Sequence, residues 1–211
     1  MSTNIKERII AASKKFGLTH LSSNLTACTA IEAVYEIKEP NEKFVLSNGH
    51  AGLALYLVTH PDDDECLPIQ ENIHADSKWA DCSTGSLGHG ISISVGMALA
   101  NRHKRIFCMI SDGESMEGSV YEALRIAADF KLTNLKVICN ANGFGAYSEV
   151  DLNKLMTVFR SLGWGIWPTE DDKDNIKQGL TARIDDIPIM VFNRTTNPLP
   201  FEGIAGHYLK A

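Results

Sequence analysis

No stretch of this chain comes near the roughly 20 consecutive apolar residues that a bilayer-spanning helix needs, so a membrane protein is not expected. Residues Met1 to Arg8 lack the apolar core of a secretory signal, and none is expected there. The cysteines Cys28, Cys66, Cys82, Cys108 and Cys139 are odd in number and form no Cys-x-x-Cys pair. That pattern speaks against a disulfide framework and for reduced thiols in a cytoplasmic protein. Neither Gly-x-Gly-x-x-Gly nor a Walker sequence occurs, which leaves a nucleotide-binding module without support. Internal repeats and low-complexity linkers are missing too. There is no excess of positive charge: a net −6 argues against nucleic-acid or anionic-membrane partners. Phosphate ligands stay open, because backbone amides and a metal can hold them on an acidic protein.

What is present reads as one globular domain over residues 1–211, with an ordinary 44% apolar and 22% charged content. Ile5, Ile9, Ile10 and Ala12 make a helical stripe over 4–16, closed at Phe16-Gly17. A polar loop from Thr19 to Asn24 then leads into a helix over about 27–38. Phe44-Val45-Leu46 is a short buried strand, followed by a helix from Ala51 to Val58. Residues 60–80 read as a polar surface loop. A glycine- and hydroxyl-rich stretch, Ser83 to Gly90, precedes a small-residue helix from Ile91 to Ala100. Strand 106–110, helix 116–131 and strand 135–139 follow. A helix over 151–162, a strand over 164–167, a helix over about 172–184 and a strand over 187–192 complete the core, with an irregular tail over 195–211. The strands are continuous apolar runs alternating with helices. The expected fold class is therefore α/β, a parallel sheet with helices on both faces.

Asp112-Gly113-Glu114 directly follows the apolar run Ile106 to Ile110. Asn142-Gly143 stands just beyond the run Leu135 to Cys139. An acid and an amide thus sit at the carboxyl ends of two strands joined by one crossover helix. Those ends are neighbours in a parallel sheet, where open α/β sheets bind ligands. A carboxylate and a carboxamide oxygen are hard ligands, suited to Mg²⁺ or Ca²⁺ carried by a diphosphate. The residues alone therefore point to half of a metal-diphosphate site.

Around this pair lie Phe44-Val45-Leu46-Ser47-Asn48-Gly49-His50-Ala51, Ser83-Thr84-Gly85-Ser86-Leu87-Gly88-His89-Gly90 and Ser111-Asp112-Gly113-Glu114-Ser115-Met116-Glu117-Gly118. Glu122-Ala123, Asn134-Leu135 and Asn142-Gly143 fall in step with them. In order and spacing these stretches resemble the N-terminal, diphosphate-binding half of transketolase, and most of all the A-type subunit of the split transketolases. The resemblance runs from about residue 15 to about 192.

It implies a thiamine diphosphate-binding fold with Mg²⁺ (or Ca²⁺) held by Asp112, Asn142 and the Phe144 carbonyl. Gly113 would lie against the diphosphate. Backbone groups of Gly85 and Leu87 would hold the aminopyrimidine ring. His20, His50 and His74 would face diphosphate and sugar, shuttling protons and binding hydroxyls. Glu117 would meet the other half of the enzyme, and His207 would meet the diphosphate. For His74 and Glu117 the plain alternatives are a surface histidine and a helix-start glutamate favoured by the dipole.

The implied reaction moves a two-carbon ketol unit from a ketose phosphate to an aldose phosphate. The glutamate that activates the cofactor belongs to the pyrimidine-binding half, which this chain lacks. The resemblance therefore implies a separate partner subunit and a dimer of heterodimers. There are departures. The family's Gly-Asp-Gly is Ser111-Asp112-Gly113, its His-Pro-Gly-Gly is His20-Leu21-Ser22-Ser23, His89 replaces a Gln, and the segments at 60–80 and after Asn142 are short. Two alternatives follow: a subunit of another thiamine diphosphate enzyme, acting on 2-oxo acids, or a cofactor-binding remnant without turnover.

Overall fold

The structure, a computed structural model, describes residues 4–63, 72–74, 77–145 and 148–196. Helix α1 spans Ile5–Phe16; Asn4 caps it by accepting the Lys6 N–H at 3.0 Å, and Gly17 ends it in a left-handed conformation. Helix α2 spans Leu21–Ile37. It starts well before the expected 27, so the polar stretch from Leu21 to Asn24 is helix rather than loop. Ser22, Ser23 and Asn24 are buried in its first turns. Short polar side chains favour helix beginnings, where they can bond backbone groups that lack intrahelical partners.

Strand β1 spans Lys43–Leu46. A single 3-10 turn over Gly49–Ala51 then runs straight into α3, Gly52–Thr59. Helix α4 is His89–Ala100 and strand β2 is Ile106–Ser111. The expected single helix over 116–131 is divided. Glu114–Met116 forms a 3-10 turn, Glu117 is extended at ψ 133, and α5 runs from Gly118 to Asp129. Strand β3 is Leu135–Ala141, helix α6 Leu152–Ser161, strand β4 Gly165–Thr169, helix α7 Lys173–Thr181 and strand β5 Ile189–Arg194.

The five strands form one all-parallel sheet in the order β1-β2-β3-β5-β4. Strand β4 lies at an edge, which is where Pro168, lacking an N–H, can be carried. Alternate strand residues face opposite sides. Phe44, Leu46, Phe107, Met109, Ile138 and Val191 pack beneath α1, α2, α3 and α7. Val45, Cys108, Ile110, Val137, Cys139, Met190 and Phe192 pack against α4, α5 and α6. The sheet is therefore covered on both faces, as the continuous apolar runs predict.

Among the described residues, Cys28, Cys82, Cys108 and Cys139 are free thiols, and burial pushes the Cys28 thiol up to about 11. No helix of the described residues is long and apolar enough to cross a membrane. Cys66, His207 and all but the first two residues of the tail lie outside the described residues.

Candidate functional site

The carboxyl ends of β1, β2 and β3 lie side by side. Strand β2 is paired with β3 to its own end, Ser111 opposite Asn140. A cavity of about 240 Å³ opens there. Asp112 and Asn142 both line it, so the two candidate metal ligands do share one rim.

Asp112 is only 2% exposed. Its Oδ1 accepts the Gly113 N–H at 3.0 Å and its Oδ2 the Gly143 N–H at 2.6 Å. The second bond ties the β2 end to the β3 end. Burial pushes this carboxyl up to about 6, against the backbone N–H bonds from Gly143 and Gly113 that favour its charged form. A neighbouring cation would oppose that burial effect and keep the group ionised. The Asn142 Oδ1 accepts the Phe144 N–H at 2.9 Å, which fixes its direction and leaves a second lone pair. Phe144 forms an antiparallel bridge with Glu149, flanked by Gly145 N–H to the Ser148 carbonyl and Val150 N–H to the Gly143 carbonyl, both 2.8 Å.

Gly113 has φ −64 and ψ −41, a backbone any residue can adopt. Its glycine is thus not demanded by conformation. Gly85 differs: its φ is +149, and a Cβ there would press on the Asn72 side chain at 3.0 Å. Gly85, Leu87 and Asn72 all line the cavity.

His20 and His50 line the same cavity, with ring centroids 4.9 Å apart. His20 precedes α2 in a left-handed conformation, φ 59, and its Nδ1 meets the Thr19 hydroxyl at 2.7 Å. Asn24 holds both histidines' backbones. Its Nδ2 donates to the His20 carbonyl at 3.0 Å and the His50 carbonyl at 3.2 Å, while its Oδ1 accepts the Ala54 N–H at 2.9 Å.

His74 is exposed, and its N–H donates to the Ser77 hydroxyl oxygen; it is not among the residues lining the cavity, where Asn72 stands instead. Glu117 is exposed at the start of α5 and makes no capping bond, so it stands at the rim rather than within.

Sequence reasoning passed over the buried polar scaffold. Glu114, 0% exposed, accepts the Ser47 hydroxyl at 2.5 Å and the Gly88 N–H at 2.6 Å on one oxygen, and its own N–H donates to the Ser111 hydroxyl at 3.0 Å. One carboxylate therefore joins three of the cavity's segments. Asn140 donates to the Thr26 hydroxyl at 3.1 Å. Its Oδ1, the Asn48 Oδ1 and the Glu114 Oε2 are buried without a hydrogen-bond partner. All three residues line the cavity. Buried polar atoms left unpaired are costly and call for a ligand or water. A carboxamide at position 140, in an otherwise apolar strand end, was the signal available in the sequence.

The donor set fits a metal-diphosphate. No group of three or more His, Cys, Asp or Glu residues among the described residues forms a self-sufficient metal site. One carboxylate with an amide and a carbonyl is the arrangement in which phosphate oxygens and water complete a magnesium octahedron.

Residues 70–200 match the sequence model described as "Transketolase, thiamine diphosphate binding domain". The chain is 30% identical over 204 residues to transketolase-like protein 2 of Bos taurus, covering 79% of this chain and 32% of that protein. It is 32% identical over 185 residues to the transketolase of Mycoplasma genitalium, covering 74% of this chain and 28% of that one. It thus spans about a third or less of these relatives' length. Among solved structures, a transketolase variant from Pichia stipitis in complex with fructose-6-phosphate superposes with a TM-score of 0.77 at 22% identity, covering 98% of this chain and 38% of that chain. The transketolase of Leishmania mexicana gives 0.72 at 20% identity, covering 92% and 37%.

Proposed function

The chain belongs to the transketolase family by its thiamine diphosphate binding domain, and from that premise we propose that it is the diphosphate-holding subunit of a two-carbon ketol transferase. The observation that carries this reading is the shared rim. Asp112, Asn142 and the histidine pair His20–His50 open onto one cavity at the carboxyl ends of parallel strands.

In this proposal Asp112, the Asn142 carboxamide and the Phe144 carbonyl hold Mg²⁺, or Ca²⁺ in its place. Gly113 leaves room for the diphosphate. Gly85 and Leu87 present backbone groups to the aminopyrimidine. When bound, thiamine diphosphate supplies the electron sink for breaking the carbon–carbon bond beside a ketose carbonyl, which no side chain here can do. His20 and His50 hold substrate hydroxyls and move protons to and from their oxygens. His74, two residues from the cavity-lining Asn72, is assigned to the sugar donor. Glu117, at the rim, serves contact with a second chain, and His207 is assigned to the diphosphate.

The catalytic glutamate and the pyrimidine-binding surface come from a separate subunit, and two such pairs associate as a dimer of heterodimers. Sugar phosphates are the substrates and the reducing cytoplasm the compartment.

Calorimetry with the purified chain and this companion tests the reading. Thiamine diphosphate is expected to bind only with Mg²⁺ present, and Asp112→Ala to abolish that uptake while circular dichroism stays unchanged. Uptake that ignores Mg²⁺ and survives Asp112→Ala would refute the metal assignment. A donor screen should show ketose phosphates consumed and 2-oxo acids untouched. The reverse result would move the chain to the 2-oxo acid class, and turnover of neither would make it a binding remnant.

A further inference from the structure

At the other end of the sheet, a cavity of about 490 Å³ lies between the amino ends of the strands. Along β3, Lys136 is roughly 15 Å from the Ala141 end that carries the site above. The cavity is lined by Arg102, Lys104, Arg105, Lys136 and Arg183, with Asp185 and Asp186 as its carboxylates. On a protein of net charge −6 this is a local reversal of sign.

Much of that charge is committed elsewhere. Arg105 is spent on Glu42, with two bonds at 2.6 and 2.7 Å, and on the Ile37 carbonyl. Asp186 is spent on Lys131 at 2.7 Å. Lys136 is not so served. It is 6% exposed, yet its ammonium, with three donors, makes one hydrogen bond, to the Ala182 carbonyl at 3.1 Å. Among the described residues, the Arg183 and Lys104 side chains make no hydrogen bond or ion pair. Burial, with the nearby Arg183 and Arg105 charges, pushes the Lys136 amine down to about 8. A buried cation facing other cations, with donors to spare, is an arrangement that an anion would complete.

We propose that this cavity is a binding site for a small phosphate-bearing molecule, its phosphate held by the buried Lys136 ammonium and the Arg183 guanidinium. Phosphate offers several oxygens at once, enough for a point charge and a planar fork together. The cavity's size is that of a small-molecule site, and the chain's overall negative field disfavours a nucleic acid. This site stands independently of the thiamine diphosphate reading.

The test is calorimetric titration of the whole chain with inorganic phosphate at low salt without Mg²⁺, with citrate as the comparison anion. Saturable phosphate binding is expected, weakened about tenfold or more by Lys136→Met and by Arg183→Ala, and unchanged by Asp112→Ala. Arg183 is exposed, so Arg183→Ala decides the matter even if the core variant folds poorly. Binding indifferent to both variants, or no saturable binding, overturns the proposal. Loss in Asp112→Ala alone places the phosphate at the other end of the sheet and overturns it too. Citrate binding as tightly as phosphate overturns the phosphate assignment.

Discussion

Two buried charged residues carry the predictions at the scale of single side chains. Glu114 is fully buried and serves two donors with one oxygen, so its deletion strands the Gly88 N–H and the Ser47 hydroxyl. Glu114→Ala is expected to lower stability by about 2 kcal/mol, the cost of leaving buried donors unpaired. Glu114→Gln keeps an acceptor oxygen in place and should lose about half of that or less; denaturant unfolding of the two variants is the check. If Ala and Gln cost the same, the side-chain oxygen does not tie these segments together. Lys136 makes a pH prediction. Its folded-state value of about 8 lies below the ordinary 10.5, so between those values the unfolded chain binds more protons than the folded one. Stability therefore rises with pH across that window. In phosphate-free buffer the wild type should gain stability from pH 8 to 10.5 relative to Lys136→Met, which lacks the titrating group. A flat difference between the two profiles would show that the amine is solvated after all.

At the scale of elements, the start of α2 was the part of the site least legible in sequence. Thr19 to Asn24 reads as a loop because five polar residues around Leu21 interrupt the apolar period. The structure turns Leu21 onward into helix because Asn24 finds three backbone partners on the segments to either side. Polar side chains satisfied by distant backbone give no periodic signal. The same holds for Glu114 and Asn140, whose partners Ser47, Gly88 and Thr26 lie far away in sequence. By contrast Asp112 and Asn142 were readable, since a strand's end and the residue just beyond it follow directly from an apolar run. Asn24→Ala should cost about 2–3 kcal/mol in unfolding. It should also broaden or shift the imidazole resonances of both His20 and His50, which an effect confined to α2 would not do. A second element, α6, is capped by Asp151, whose oxygen accepts the Asn153 and Lys154 N–H groups at 3.0 Å. Asp151→Ala should cost about 1 kcal/mol without touching cofactor binding.

For the whole molecule, the alternation of buried strands with amphipathic helices was enough to place a parallel sheet with helices on both faces. The order β1-β2-β3-β5-β4 was not, because strand order depends on which helix covers which face, and no local pattern records that. The sheet's layers also leave something uncovered near the proposed cofactor rim. Met116 is 52% exposed in the 3-10 turn that follows Asp112 and Gly113, and Ile93 is exposed near the start of α4, whose first residue follows the Ser83 to Gly88 loop. Large apolar side chains standing out beside the proposed site are what a companion subunit would cover, and aromatic or methionine side chains at the centre of such a contact carry much of its affinity. If the split-subunit proposal holds, Met116→Glu should weaken association with the pyrimidine-binding chain by about tenfold or more. Its exposed position predicts little change in the isolated chain's own unfolding, within about 0.5 kcal/mol. Ile10→Glu, on the outer face of α1, is the control, apolar and exposed (43%) but on the helix layer opposite α4. Sedimentation of each variant with the companion chain distinguishes the cases. Equal weakening by both substitutions would mean a general effect of added negative charge, and no weakening by Met116→Glu would remove this rim from the interface.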